Sequence, residues 1–198
     1  LVLMDEVLGS LDGGLEKVDG FCVTTGPGSF TGLRVGISLI KGLVLATEKP
    51  FWGVNTLEAY ANLVNPVSQP ICPILDAKKK EVYTARFKYK NNKLVKETPD
   101  QAVSPQELCE MTQEPSVFLG GGVEPYKDFL ASRLGNKFIE NAPVKNQTIA
   151  ASAVQIVLNQ SQANPGFDLD ALTIHYVRKS EAEINNNILK QEVVKHGY

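Results

Sequence analysis

The sequence predicts a mixed α/β fold, and three features of its order predict it. Short β-prone runs such as "VDGFCVTT" and "QPICPILDA" alternate with helical patterns along the chain. A glycine-rich turn, "GPGSFTG", stands between a strand and a long helical pattern. Prolines cluster between Asn65 and Pro73, where a change of lobe is expected. That boundary divides the chain into a first lobe over 1–68 and a second over 69–198, with a C-terminal helix returning to the first.

Residues 1 to about 11 read as a helix with Leu1, Met4, Leu8 and Leu11 on one face, stopped by Asp12-Gly13-Gly14. A β-prone run over Val18–Thr25 enters the turn. The long helix spans about Thr31 to Thr47, and Pro50 closes it. A second helix is expected over Leu57–Val64, capped by Asn55 or Thr56. Two strands, Ile71–Leu75 and Val82–Tyr89, flank a charged turn. Beyond them the pattern gives a helix near Pro105–Met111, the strand "SVFLGG", and helices near Pro125–Leu134 and Ala150–Asn159, the last capped by Thr148. The run "TIHYVRKSEAEI" ends the folded part.

With 198 residues the chain is long enough to bury a sizeable core. A net charge of −2 gives no basic field for nucleic acid, and Lys78-Lys79-Lys80 reads as a solvated turn tip. The three cysteines form no C-x-x-C; Cys22 and Cys72 lie in apolar runs and read as buried small hydrophobes, which fits a reducing, cytoplasmic setting. The longest apolar run reads as too short and interrupted to span a bilayer. The chain opens inside a helical pattern, "LVLMDEVLGSL", with an element expected ahead of it.

In the turn, Gly26 and Gly28 allow backbone angles closed to other residues, and Ser29 or Thr31 is placed to cap the helix. Exposed N–H groups at such a start suit an anion. Gly26, Gly28, Ser29, Thr31 and Arg34 are therefore the candidate anion- or nucleotide-binding residues, with weak ATP or ADP binding as the expectation. The spacing matches neither a P-loop, whose Lys is absent, nor a dinucleotide fingerprint, whose third Gly is Thr31 here. A tight structural turn is the favoured reading. Arg34 opposes the dipole of its own helix, which points to a carboxylate or anion partner or to an internal salt bridge.

From Leu33 to Ala46, Arg34, Ser38 and Lys41 form one narrow polar stripe and the rest is apolar or Gly. One sheet covers one helix face, so surplus apolar surface predicts an interface. Its candidate residues are Leu1, Met4 and Leu8 on the first helix, and Gly32, Val35, Gly36, Leu39, Ile40 and Leu43 on the long one, with Gly32 and Gly36 allowing close approach of another backbone.

Recognisable catalytic arrangements are not found. His175 and His196 are not spaced as metal ligands, and no H-E-x-x-H or G-x-S-x-G occurs. Asp76 reads as an Asx-turn acceptor or, at a strand end, a catalytic acid. Gly120–Gly122 reads equally as a tight strand–helix joint or as an approach to an adenosine.

"GPGSFTGLRVG", "KGL", "GVNTLEAYA", "ILDAKKKEVYTARF" and "YVRKSEAE" together resemble the bacterial TsaB (YeaZ) family, over Leu1 to about Glu183. The resemblance implies a two-lobe actin-like, Hsp70-like, sugar-kinase-like fold. It also implies a role in making threonylcarbamoyl-adenosine next to the tRNA anticodon, as a non-catalytic partner of the catalytic paralogue TsaD. A TsaE-like ATPase is the further partner, a homodimer is the expected form in isolation, and tRNA contact is expected to be indirect. An older glycoprotease label for the wider family has no metal-ligand motif to support it here. Members begin with a β-hairpin carrying an Asp-Thr/Ser segment, which this sequence does not contain, so the first lobe is expected to be N-terminally incomplete.

Overall fold

Branched and aromatic side chains in Phe21–Gly26 (β1) and Phe51–Asn55 (β2) suit extended backbone, and the two strands pair in parallel. A parallel pair needs a crossover. Here it is the helix α2, Phe30–Thr47, which packs Ile37, Ile40 and Val44 against Phe21 and Phe51. The computed structural model describes residues 2–140, 144–145, 147–159 and 168–178. Ahead of β1, helix α1 covers Val2–Gly9 and none of its residues is buried. It ends two residues before the expected Leu11, which lies exposed in the following turn.

On the opposite side of the small sheet lie α3, Thr56–Ala61, and α6, Ile149–Asn159. Asn55 caps α3 by accepting from the Glu58 N–H at 3.0 Å. The Thr148 hydroxyl accepts from the Ala151 N–H at 3.1 Å at the start of α6. Buried Asn62 donates to Ser152 Oγ at 3.0 Å, and that hydroxyl donates to the Ala59 carbonyl at 2.7 Å. These bonds satisfy polar groups between the helices that would otherwise oppose burial.

The second sheet is built on β3, Ile71–Asp76, with burial over its first four residues. It pairs antiparallel with β4 (Val82–Thr84) and β5 (Phe87–Lys90), and parallel with β8 (Ser116–Leu119). The expected single strand Val82–Tyr89 is thus two strands. The chain leaves one partner at Ala85–Arg86, where the Arg86 N–H donates to Thr98 Oγ1 at 2.8 Å. Two further strands, β6 (Lys93–Lys96) and β7 (Gln101–Val103), continue the edges, and β9 (Phe138–Ile139) lies beside β8. Helices α4 (Pro105–Met111) and α5 (Lys127–Leu134) cover one face through Leu108, Leu130 and Leu134. Ser104 and Glu107 close a capping box on α4.

Candidate partner face and glycine-rich turn

The turn after β1 is held by its own chain. Gly26 has φ +120, and its N–H donates to Thr56 Oγ1 at 3.2 Å. Gly26 and Pro27 are buried. Ser29, not Thr31, is the N-cap: Gly32 N–H donates to its hydroxyl at 3.3 Å and Leu33 N–H to its carbonyl at 2.8 Å. Several donors that would face an anion are therefore used internally, although Ser29 and Thr31 remain exposed.

Arg34 meets aromatic groups instead of a carboxylate. Its guanidinium carbon lies 3.9 Å from the Phe30 ring centroid, and its Nε donates to the Tyr176 hydroxyl at 3.2 Å. Among the described residues no ion pair forms at Arg34. Stacking on a ring offsets part of the unfavourable dipole position.

The faces of α2 separate cleanly. Ile40 is 9 % exposed and faces the chain's own core, so this candidate interface residue is a core residue. Gly36 turns toward β1, where a Cβ would stand 3.9 Å from Val23 Cγ2, an ordinary van der Waals distance, so this candidate faces its own subunit and a small side chain would fit there. Leu39 and Leu43 are half-buried along the side of the helix, Leu43 against the same core. The outward stripe is Thr31, Val35, Ser38, Gly42 and Leu45, with Gly32 beside it. Val35 is 63 % exposed and Leu45 70 %. On α1 the exposed apolar residues are Val2, Leu3 and Val7, whereas the expected Met4 and Leu8 are half-buried and Leu1 lies outside the described residues. Helical periodicity finds an apolar stripe but not which part of a wide stripe its neighbours cover.

Contrary to the sequence expectation, α2 is long and apolar enough to cross a membrane, by length and composition only. Its inward face lies in the core formed with β1 and β2, which makes it a layer of this fold.

The remaining candidates are structural. Asp76 accepts from the Lys78 N–H and binds Lys78 Nζ, each at 2.7 Å, so it closes an Asx turn. Those bonds hold its carboxyl below the usual range. Gly120 has φ +104, and a Cβ there would stand 2.5 Å from the Ile74 carbonyl oxygen, so the triple glycine is a joint packed on β3. Burial pushes Cys22 up to about 11 and Cys72 up to about 12, making both poor nucleophiles. Lys78, Lys79 and Lys80 occupy the left-handed region at a turn tip. His196 lies outside the described residues, and among these no cluster of three His, Cys, Asp or Glu suits a metal.

Sequence reasoning missed one constellation, Asp100 with its neighbours. The Asp100 side chain is 1 % exposed, accepts from Asn55 Nδ2, and lies 3.0 Å from His175 Nε2. Lys96 Nζ pairs with its other oxygen as an ion pair without hydrogen-bond alignment. Nothing local in "KETPDQAV" marks this carboxylate, because its partners come from distant parts of the chain.

Residues 1–185 match the protein family described as "TsaD: tRNA N6-adenosine threonylcarbamoyltransferase". The chain is 33% identical over 181 residues to the tRNA threonylcarbamoyladenosine biosynthesis protein TsaB of Bacillus subtilis (strain 168), covering 89% of this chain and 77% of that protein. To the TsaB of Escherichia coli (strain K12) it is 31% identical over 135 residues, 65% of this chain and 58% of that one. Among solved structures, YeaZ from Pseudomonas aeruginosa superposes with a TM-score of 0.62 at 17% identity, covering 88% of this chain and 80% of that chain. A crystal structure titled as an uncharacterized protein with similarity to peptidase YEAZ, from the same organism, gives 0.65 at 19%, covering 89% and 80%. Both likenesses show a shared α/β fold, and the sequence identity carries the assignment further: the chain belongs to the TsaB (YeaZ) family.

Proposed function

We propose that this protein is a non-catalytic partner subunit in the synthesis of threonylcarbamoyl-adenosine in tRNA, and that it supports a TsaD-like catalytic subunit. The observation that carries the reading is the open apolar surface of two helices in a fold of this family: Val35 and Leu45 on α2, and Val2, Leu3 and Val7 on α1, each more than 60 % exposed. Apolar side chains of this size each contribute about 1.5–3 kcal/mol when buried, so a partner that covers them is strongly favoured. Arg34, stacked and without a carboxylate among the described residues, adds a cation near that stripe. In isolation the same surface supports a homodimer, and a TsaE-like ATPase joins the larger assembly in a cytoplasmic setting. Contact with tRNA runs through the partner.

The second reading, an ATP-binding phosphotransferase or ATPase using the turn from Gly26 to Gly32, has less support. Gly26, Gly32 and Leu33 spend their N–H groups on Thr56 and Ser29, which leaves at most weak ATP or ADP binding. Light scattering after size exclusion, on this protein alone and mixed with its TsaD, is the deciding experiment. A mixed complex that Leu45→Glu abolishes is expected; no complex with TsaD overturns the proposal. Calorimetry with ATP and Mg²⁺ separates the second reading, which requires binding tighter than millimolar.

A further inference from the structure

Residues 172–178 cross from one lobe to the other without regular secondary structure. The first half of this segment belongs to the first lobe. Leu172 is 2 % exposed in the core with Phe21, Ile37 and Phe51, and Ile174 packs against it. The His175 N–H donates to the Thr25 carbonyl at 2.8 Å, where β1 ends.

The second half reaches across. His175 Nε2 lies 3.0 Å from Asp100 Oδ2, between β6 and β7. Arg178 pairs with Glu81 and donates through Nη2 to the Ala77 carbonyl at 2.8 Å, on the turn between β3 and β4. Between these two anchors, Tyr176 turns back to α2, with its ring centroid 5.3 Å from that of Phe30 and its hydroxyl accepting from Arg34. One short segment therefore touches β1, the first turn of α2, the β6–β7 connection and the β3–β4 turn.

The two halves differ in how firmly they are held. Leu172 sits in close-packed core, whereas His175 and Tyr176 are exposed and Arg178 is half-buried. A part-buried ion pair and single hydrogen bonds hold the outer half with no apolar core of its own, so it opens at lower free energy than the core that anchors the inner half. Asp100 adds a bias toward the docked state. Its carboxylate is buried among Asn55 and Lys96, and the docked His175 lies over it at 3.0 Å, so undocking uncovers a buried charged group.

We propose that residues 172–178 are a conformational latch between the lobes. Docked, the latch holds the two sheets at one relative angle and seats Phe30 and Arg34 at the start of α2. Released from Glu81 and Asp100, it loosens the angle between the lobes, which stay joined where Leu57 and Ala61 of α3 pack with Ile71, Phe87 and Val117, and it changes the surface that α2 offers to another protein. The link to a protein partner rests on the function proposed above; the control of lobe angle does not.

The test is an interlobe distance in the full chain, with spin labels at Ser38→Cys on α2 and Gln106→Cys on α4, both exposed positions, in a Cys109→Ser background. Arg178→Glu is expected to broaden the distance distribution. It should also speed amide exchange at His175 about tenfold or more, as loss of a charge-assisted hydrogen bond implies. The exchanged pair Glu81→Arg with Arg178→Glu is expected to restore a narrow distribution. Thermal melting and amide protection within β3 verify that each variant is folded; if Arg178→Glu is not, Glu81→Gln, which leaves Arg178 on the Ala77 carbonyl, takes its place. An unchanged distribution overturns the latch, and so does a broadened one that the charge exchange leaves broad. TsaD binding by the same variants is read separately: no binding by the unmodified chain overturns the proposed function while the distance result stands.

Discussion

The carbonyl oxygen of His175 lies 2.7 Å from the point where a side-chain carbon on Gly26 would stand. Gly26 also has φ +120, a region that L side chains rarely adopt. The glycine of the turn is therefore required by the segment laid over it as much as by the bend itself. Gly26→Ala is expected to destabilise the protein by about 1–3 kcal/mol, the usual scale for a strained backbone position. Urea unfolding measures it, and a loss within about 0.5 kcal/mol, the range of neutral surface changes, would show that the segment yields freely.

The two sides of α2 predict opposite outcomes. Ile40→Ala removes a core side chain and is expected to cost about 2–5 kcal/mol of stability. Leu45→Glu alters an outward residue and is expected to leave stability within about 0.5 kcal/mol while abolishing association. Thermal melting and light scattering on the two variants check both. A dimer or mixed complex that survives Leu45→Glu removes this stripe from the interface.

Glu58 gives a pH dependence with a definite sign. Desolvation raises its carboxyl above the ordinary value, Lys96 opposes the shift, and Asp100 adds to it. A carboxyl raised in the folded state binds its proton more tightly there than in the unfolded chain. Its contribution is fully present below the unfolded value, about 4.3, and is lost as pH rises through the folded one. Glu58→Gln is thus expected to raise the melting temperature at pH 7 by a small amount, about 1–2 °C, with the advantage vanishing toward pH 4. An advantage that grows on acidification contradicts this account.

The thiols should separate by accessibility and ionisation. Cys72, with burial pushing it up to about 12, is expected to resist an aromatic disulfide reagent until the protein unfolds. Cys22, raised to about 11 and less deeply covered, is expected to react slowly, and half-buried Cys109 first. Timed mass spectrometry of the native protein gives the order. Early labelling of Cys72 would mean that the second-lobe core opens readily.

Local chemistry determined much of this protein. Pro105 with the Ser104–Glu107 box dictates where α4 starts, Asn55 and Thr148 begin α3 and α6, and the apolar run Ile71–Leu75 makes a central strand. Five short motifs together, "GPGSFTGLRVG" foremost among them, indicated the family. Edge strands β6 and β7 were not legible, because "NNKLVKETPDQAV" is polar and its extended form depends on ladder bonds to β5 and β4. Tertiary structure alone decided which side of α2 faces inward: Ile40 and Val35 are equally apolar, and only the position of β1 buries one and exposes the other. It alone brought Tyr176, His175 and Arg178 to Arg34, Asp100 and Glu81, partners far away along the chain. Periodicity and turn chemistry act over a few residues, whereas such contacts depend on where the whole chain has returned.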